Sequence, residues 1–201
     1  MSSTLKLKDQ YDRQGYFKIE NFFKEDFIKY VKKEIVSLKL KKSREIQIYT
    51  DKHSRVHRIE RFYQISEKIK SLNKTLLKEL RNIFNEEFVI FKDKCNFKAP
   101  GDEGFFAHYD GIFKWKDSNG KIRKGWEEYS TEFITVLVSL DDSTLKNGAL
   151  EISSRHNGSF EKLFERLAKH RIPYKNPFAA GGQVYQEPIL AKKHELKCEF
   201  E

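Results

Sequence analysis

Two side chains near the middle of the chain have the types and spacing to hold a metal ion: His108 and Asp110, one residue apart. On a β-strand, side chains two positions apart project from the same face. His108 Nε2 and the Asp110 carboxylate then converge on one point. That is two thirds of the 2-His-1-carboxylate set that holds non-haem Fe(II) with open positions for a co-substrate and dioxygen. By itself the triplet is a weak signal, because a half-buried histidine beside a solvated aspartate is spelled the same way. The surroundings strengthen it. Phe88, Val89, Ile90 and Phe91 open a β-prone stretch that runs through Asn96 to a turn at Pro100-Gly101. Gly104, Phe105 and Phe106 then deliver the triplet. An Asn119-Gly120 turn and a long apolar strand follow at a workable distance.

Other elements must position that pair. Residues 5–13 read as a short helix, and 16–20 as a strand after Gly15. Phe27, Ile28, Val31, Ile35 and Leu38 fall at helical spacing, so 24–38 is an amphipathic helix. Residues 45–50 and 56–62 alternate and flank a turn at 51–54, which is a hairpin pattern. His53 and His57 have metal spacing only on a helix, and the local pattern is strand. Arg58 and Arg61 fall on opposite faces of that strand. One of them could meet a substrate anion, or both are ordinary surface arginines. Helix 65–84 carries a face of Ile65, Ile69, Leu72, Leu76, Leu77, Leu80 and Ile83. Ser66 suits its start, although no Glu completes a capping box. Asn119-Gly120 is a hairpin turn signal, and 132–140 (EFITVLVSL) is the most apolar strand candidate. Asp141 and Asp142, beside Ser143, Thr144 and Asn147-Gly148, read as turn and cap residues rather than a catalytic carboxylate pair. A strand at 149–153, a helix at 160–170, a Pro/Gly/Ala-rich loop at 171–188 and short strands at 189–190 and 196–200 complete the expectation.

Composition narrows the classes. The 201 residues suit one domain, and 38% apolar content with 17 Phe supplies a packed core despite 34% charge. Two cysteines, Cys95 and Cys198, are too few for a disulfide framework. No signal peptide or membrane-length apolar run is visible, which fits a reduced, cytoplasmic setting. The net charge of +9 comes from lysines scattered among 30 acidic residues, without a nucleic-acid motif or basic stripe. It reads first as a solvated surface; the alternative is a modest positive field that draws anions such as 2-oxoglutarate or a phosphorylated substrate, and neither nucleic acid nor membrane is expected as a partner.

One stretch carries a family likeness. Lys94-Cys95-Asn96-Phe97-Lys98-Ala99-Pro100-Gly101 and Gly104-Phe105-Phe106-Ala107-His108-Tyr109-Asp110 resemble the iron-binding segment of the phytanoyl-CoA dioxygenase family. The likeness is nearest its ectoine hydroxylase and 2-aminoethylphosphonate dioxygenase branches. It continues through residues 133–142, through Lys146-Asn147-Gly148-Ala149-Leu150-Glu151-Ile152 to His156-Asn157-Gly158, and includes the opening at 14–23. The resemblance implies a mainly β fold with flanking helices, a double-stranded β-helix (jelly roll, cupin-like) over 1–201. It implies an Fe(II)- and 2-oxoglutarate-dependent oxidoreductase, a dioxygenase that hydroxylates a small-molecule substrate. His108 and Asp110 would be the iron-binding, catalytic pair. An aspartate at 110 leaves no vacancy for halide, so hydroxylation is expected rather than halogenation. Asn96 matches a position that touches oxoglutarate. Thr135 either reaches the co-substrate or is a satisfied core threonine. Trp115 is the candidate aromatic beside the oxoglutarate pocket, and Trp126 and Tyr129 either wall a cleft or pack.

The likeness also breaks. The family's third iron ligand, a histidine after a Gly-Asp strand, and the trailing arginine that pairs with the far carboxylate of oxoglutarate have no counterpart. His156 matches a turn position, His170 falls on a predicted helix, and His194 lacks both the Gly-Asp lead and the trailing Arg. The chain stops at Glu201, about where that strand should begin, so a domain without its last strands is expected. The alternative is a catalytically inactive jelly-roll binding protein, or a truncated fragment of such an oxygenase.

Overall fold

A computed structural model describes residues 3–41, 44–99, 107–108, 110–111, 114–152, 174–175 and 184–185. The chain forms two compact units, Met1–Asp102 with Val138–Leu150, and Glu103–Leu137 with Glu151–Glu201.

In the first unit, helix α1 spans Ser3–Gln14 and ends where Gly15, at φ 82°, donates its N–H to Tyr11 O. Helix α2, Glu25–Leu38, starts with Glu25 and Asp26, whose charges suit the positive end of the helix dipole. It buries Val31, Ile35 and Leu38, a single stripe set by the 3.6-residue repeat. Strands β1 (Gln47–Thr50) and β2 (Val56–Glu60) form the expected hairpin. Asp51 holds its turn by accepting from the His53 and Arg55 N–H groups and the Arg55 side chain. Helix α3, Glu67–Phe84, begins as its sequence suggests: Ser66 Oγ accepts from Ile69 N–H at 3.3 Å. Asn85, in the left-handed conformation, ends it. Strand β3, Lys94–Asn96, completes an antiparallel sheet of order β1-β2-β3.

Register decides which face each side chain takes. Ile48, Ile59 and Cys95 are cross-strand neighbours and face the helices. The core there includes Val31, Ile35, Leu38, Ile59, Phe62, Ile69 and Leu72. Tyr49–Arg58–Asn96 and Gln47–Glu60–Lys94 form two rows on the opposite face. Burial pushes the Cys95 thiol up to about 11, with Lys39 pulling weakly the other way. The Asp93 carboxylate ties the exit of β2 to the entry of β3. It accepts from Arg61 N–H at 3.0 Å and Phe62 N–H at 2.8 Å, holding Arg61 at φ 64°. The predicted turn at 141–148 is present: Asn147 Oδ1 accepts from Thr144 N–H, and Asn147 donates to Asp142 O. Asp141 pairs with Lys32.

In the second unit, strands β4 (Trp115–Lys116) and β5 (Ile122–Arg123) pair around Asn119-Gly120, as that turn predicts. A 3-10 turn follows at Gly125–Glu128. Strands β6 (Tyr174–Lys175) and β7 (Val184–Tyr185) pair inside the stretch expected to be loop throughout.

Several expected strands are absent. Residues 16–20, 88–93, 132–140 and 149–152 carry apolar, β-prone sequence but join no ladder. Val89 is 89% exposed and Leu137 68%, so 132–140 is not the buried strand its composition suggests. A strand is stable only when its N–H and C=O groups find a neighbour, and β-propensity does not supply one. Val138 and Leu140 do rest on the first unit's core. The helix at 160–170 and the strands at 189–190 and 196–200 lie outside the described residues. The observed architecture is a small antiparallel sheet packed on helices, with two further strand pairs. The described strands do not close a double-stranded β-helix.

Candidate functional site

Ala107, His108 and Asp110 were expected on a regular strand. Instead Ala107 makes an isolated bridge, and Asp110 lies in a bend with Gly111. The bend still brings the two side chains together, with His108 Nε2 3.5 Å from Asp110 Oδ1. Thr135 joins them by donating its hydroxyl to Asp110 Oδ2 at 3.5 Å. The His108 and Asp110 side chains are 41% and 37% exposed, so the pair is reachable from solvent.

This donor set can be tested against a metal. Two donors each about 2.1 Å from one ion lie about 3.0 Å apart at a right angle and about 3.4 Å apart at a tetrahedral one. A separation of 3.5 Å needs only a small closure. Imidazole nitrogen with carboxylate oxygen suits a first-row divalent ion. The pair therefore fits as two ligands. Among the described residues, no group of three or more His, Cys, Asp or Glu could hold an ion. His53 and His57 belong to no such group, and His156, His170 and His194 lie outside the described residues.

Asp110 is held by a closed circuit of contacts that its own triplet does not reveal. Gly111 takes φ 79°, a conformation open to glycine. Its carbonyl accepts from Trp126 N–H at 3.0 Å. The Trp126 ring lies over the glycine so closely that a Cβ there would be 2.5 Å from Cε3. Trp126 stacks at an angle on Phe133, with centroids 5.1 Å apart. Two residues on, Thr135 returns to Asp110. Trp126 thus packs on Gly111 and Phe133, whereas Tyr129 is 67% exposed.

The hairpin presents Trp126 to this circuit. Asp117 accepts from Asn119 N–H, Lys121 N–H and Arg123 Nε. Burial pushes the Asp117 carboxyl up, but these bonds and the Arg123 charge outweigh it and hold the group below its ordinary range. Arg123 also reaches Glu128 at 3.3 Å, while Glu128 accepts from Lys124 N–H. The Lys124 N–H and then Arg123 hold the Glu128 carboxyl low. The 3-10 turn at Gly125–Glu128 is thereby tied to β5, with Trp126 on it. Gly111 and Trp126 were not singled out as positioning residues. The available signals were a glycine directly after Asp110 and a Gly125-Trp126 pair after the hairpin.

Two further candidates are Asn96 and Trp115. Asn96, expected on an inward strand face, lies on the sheet face opposite the core, is exposed, and is paired with Arg58. It belongs to the first unit. Trp115 starts β4, but its side chain lies outside the described residues.

Sequence comparison fits this picture: residues 11–176 match the phytanoyl-CoA dioxygenase (PhyH) family, and the chain belongs to it. Among its curated relatives, dioxygenase lolE1 of Epichloe uncinata is 31% identical over 72 residues, which cover 36% of this chain and 23% of that protein. A 2-aminoethylphosphonate dioxygenase from uncultured bacterium HF130_AEPn_1 is 33% identical over 85 residues, covering 42% of this chain and 27% of that protein. The matched stretches thus span about a quarter of the length of each relative. No solved structure gives a significant match. No helix among the described residues is long and apolar enough to cross a membrane.

Proposed function

We propose that the chain serves Fe(II)- and 2-oxoglutarate-dependent hydroxylation of a small, anionic substrate. The observation that carries this reading is the 3.5 Å approach of His108 Nε2 to Asp110 Oδ1 in a member of this family. His108 would give a neutral nitrogen donor and Asp110 a charged oxygen donor. Ferrous iron with oxoglutarate, when bound, supplies activation of dioxygen for hydroxylation of a C–H bond.

The chain's own residues supply position. Thr135 donates to Oδ2, which leaves Oδ1 facing His108 and fixes the rotation of the carboxylate. The Gly111–Trp126–Phe133 contacts hold the backbone beside Asp110, so the donor does not swing into solvent. The oxoglutarate roles of Asn96 and Trp115 rest on the family likeness alone: the Asn96 amide would donate to a carboxylate, and Trp115 would be the aromatic beside the co-substrate. Cys95 is a free thiol among the described residues, consistent with work in a reducing, cytoplasmic compartment. The second reading is a catalytically inactive binding protein.

Anaerobic addition of Fe(II) and 2-oxoglutarate separates them. The oxygenase reading expects a weak visible charge-transfer band, lost in His108→Ala and in Asp110→Ala, and succinate formation in air. Thr135→Val should weaken iron affinity about tenfold, as loss of a bond to a ligating group does. No band and no succinate favours the second reading.

A further inference from the structure

The sheet face opposite the core carries a charged cluster around Glu60. Glu60 lies there at 5% exposure, two residues on from half-buried Arg58. Tyr49 donates its hydroxyl to Glu60 Oε2 at 3.2 Å. The other oxygen, Oε1, has Arg58 Nε at 3.3 Å and Lys92 Nζ at 3.4 Å, yet forms a hydrogen bond with neither. Arg58 Nε is likewise buried without an acceptor. The Arg58 guanidinium stacks on the Tyr49 ring, 4.1 Å from its centroid. In register, Arg58 lies directly across from Asn96, and Glu60 across from Lys94.

A purely structural ion pair would close its hydrogen bonds, because a buried polar atom left unmatched costs stability. Here two cations stand within 3.4 Å of Oε1 without a hydrogen bond to it. Arg58 and Lys92 approach one carboxylate and Lys94 stands across from it in register, so these residues carry an excess of positive charge over Glu60 beside the neutral amide of Asn96. The guanidinium is already oriented by the Tyr49 ring and the Glu60 charge. Such preorganisation lowers the cost of taking a ligand. A guanidinium fork matches a planar carboxylate or a phosphonate in two parallel bonds, which an ammonium cannot do.

We propose that the Tyr49–Arg58–Asn96 row is a binding site for a small oxyanion, with Arg58 as the receiving group and Glu60 and Tyr49 as its positioning residues. For the role of the ligand this rests on the proposed oxygenase function, and it names that ligand's class: a carboxylate or phosphonate, from either co-substrate or substrate. The site itself needs no iron.

The test is calorimetric titration of the full, metal-free chain at low salt with two probes, 2-oxoglutarate and methylphosphonate. The wild type should bind at least one of them saturably. Arg58→Lys should weaken that binding about tenfold, since charge is kept and the fork is lost. Arg58→Gln alone leaves Glu60 without its guanidinium and endangers folding. The double variant Arg58→Gln/Glu60→Gln removes both charges, keeping the shape at position 60 and shortening the side chain at 58. It should retain the wild-type circular dichroism and melting profile while losing about 10- to 100-fold in affinity. A loss confined to oxoglutarate assigns the site to the co-substrate. A loss confined to methylphosphonate assigns it to the substrate. Binding of neither probe by the wild type, or unchanged binding by the folded double variant, overturns the proposal. The charge-transfer band with Fe(II) reports on His108 and Asp110 instead, so failure of the oxygenase reading shows separately.

Discussion

Replacing Gly111 by alanine tests whether the Trp126 contact holds Asp110 in place. Two costs arise. At φ 79° an L residue loses about 1–2 kcal/mol to backbone strain. The new Cβ would also stand 2.5 Å from Trp126 Cε3 and 2.7 Å from Cδ2, atoms of a rigid ring that itself rests on Phe133. Overpacking of that kind costs about 1–3 kcal/mol more. Gly120 is the matched control: it has nearly the same φ, 76°, and a Cβ added there would meet nothing within 4 Å. Gly120→Ala should therefore cost only the strain. Both tryptophans of the chain, Trp115 and Trp126, belong to the second unit, so their fluorescence in a urea titration reports from that unit. Gly111→Ala should exceed Gly120→Ala by about 1–3 kcal/mol. It should also weaken Fe(II) binding about 10-fold or more while Gly120→Ala leaves it unchanged. Adding Trp126→Ala to Gly111→Ala removes the clash, so the two costs should fall short of additive. Equal destabilisation by the two glycine substitutions, with iron affinity intact in both, would refute the positioning role.

Other substitutions probe the first unit. Ser66→Ala removes the acceptor for Ile69 N–H and should cost about 1 kcal/mol in thermal or urea unfolding. Ile59→Ala, at 0% exposure in the core, should cost about 2–5 kcal/mol by the same measurement. The Asp51 carboxyl is lowered to about 2, first by the Arg55 N–H, so its contribution is complete above the ordinary 3.8 and is lost as pH falls toward 2. Asp51→Asn should flatten that segment of the stability–pH curve. Half-buried Cys95, with its thiol pushed up to about 11, should react slowly with iodoacetamide at about pH 8 in the native protein and quickly after unfolding, as read by peptide mass spectrometry.

Local patterns were legible where neighbours in sequence are also the structural partners. The helices at Glu25–Leu38 and Glu67–Phe84, the Ser66 cap, the β1–β2 hairpin, the Asn119-Gly120 turn and the Asn147 turn all follow from short-range periodicity or a local hydrogen bond. The His108–Asp110 approach was also visible, because two residues are enough to bring those side chains together. Its setting was not: Asp110 lies in a bend held by Gly111 and Trp126. The apolar stretch 132–140 misled for the converse reason, since strand propensity names no partner.

The amino-acid sequence alone determined the family, the local elements and the pair of side chains able to ligate an ion, because each is written in contiguous residues. Only the tertiary structure decided that Thr135 orients Asp110, that Trp126 closes over Gly111, and that Arg58 stands across from Asn96 above a buried Glu60. Those relations join residues 15 to 38 positions apart. Strand register and side-chain packing choose such partners from many that composition would equally permit.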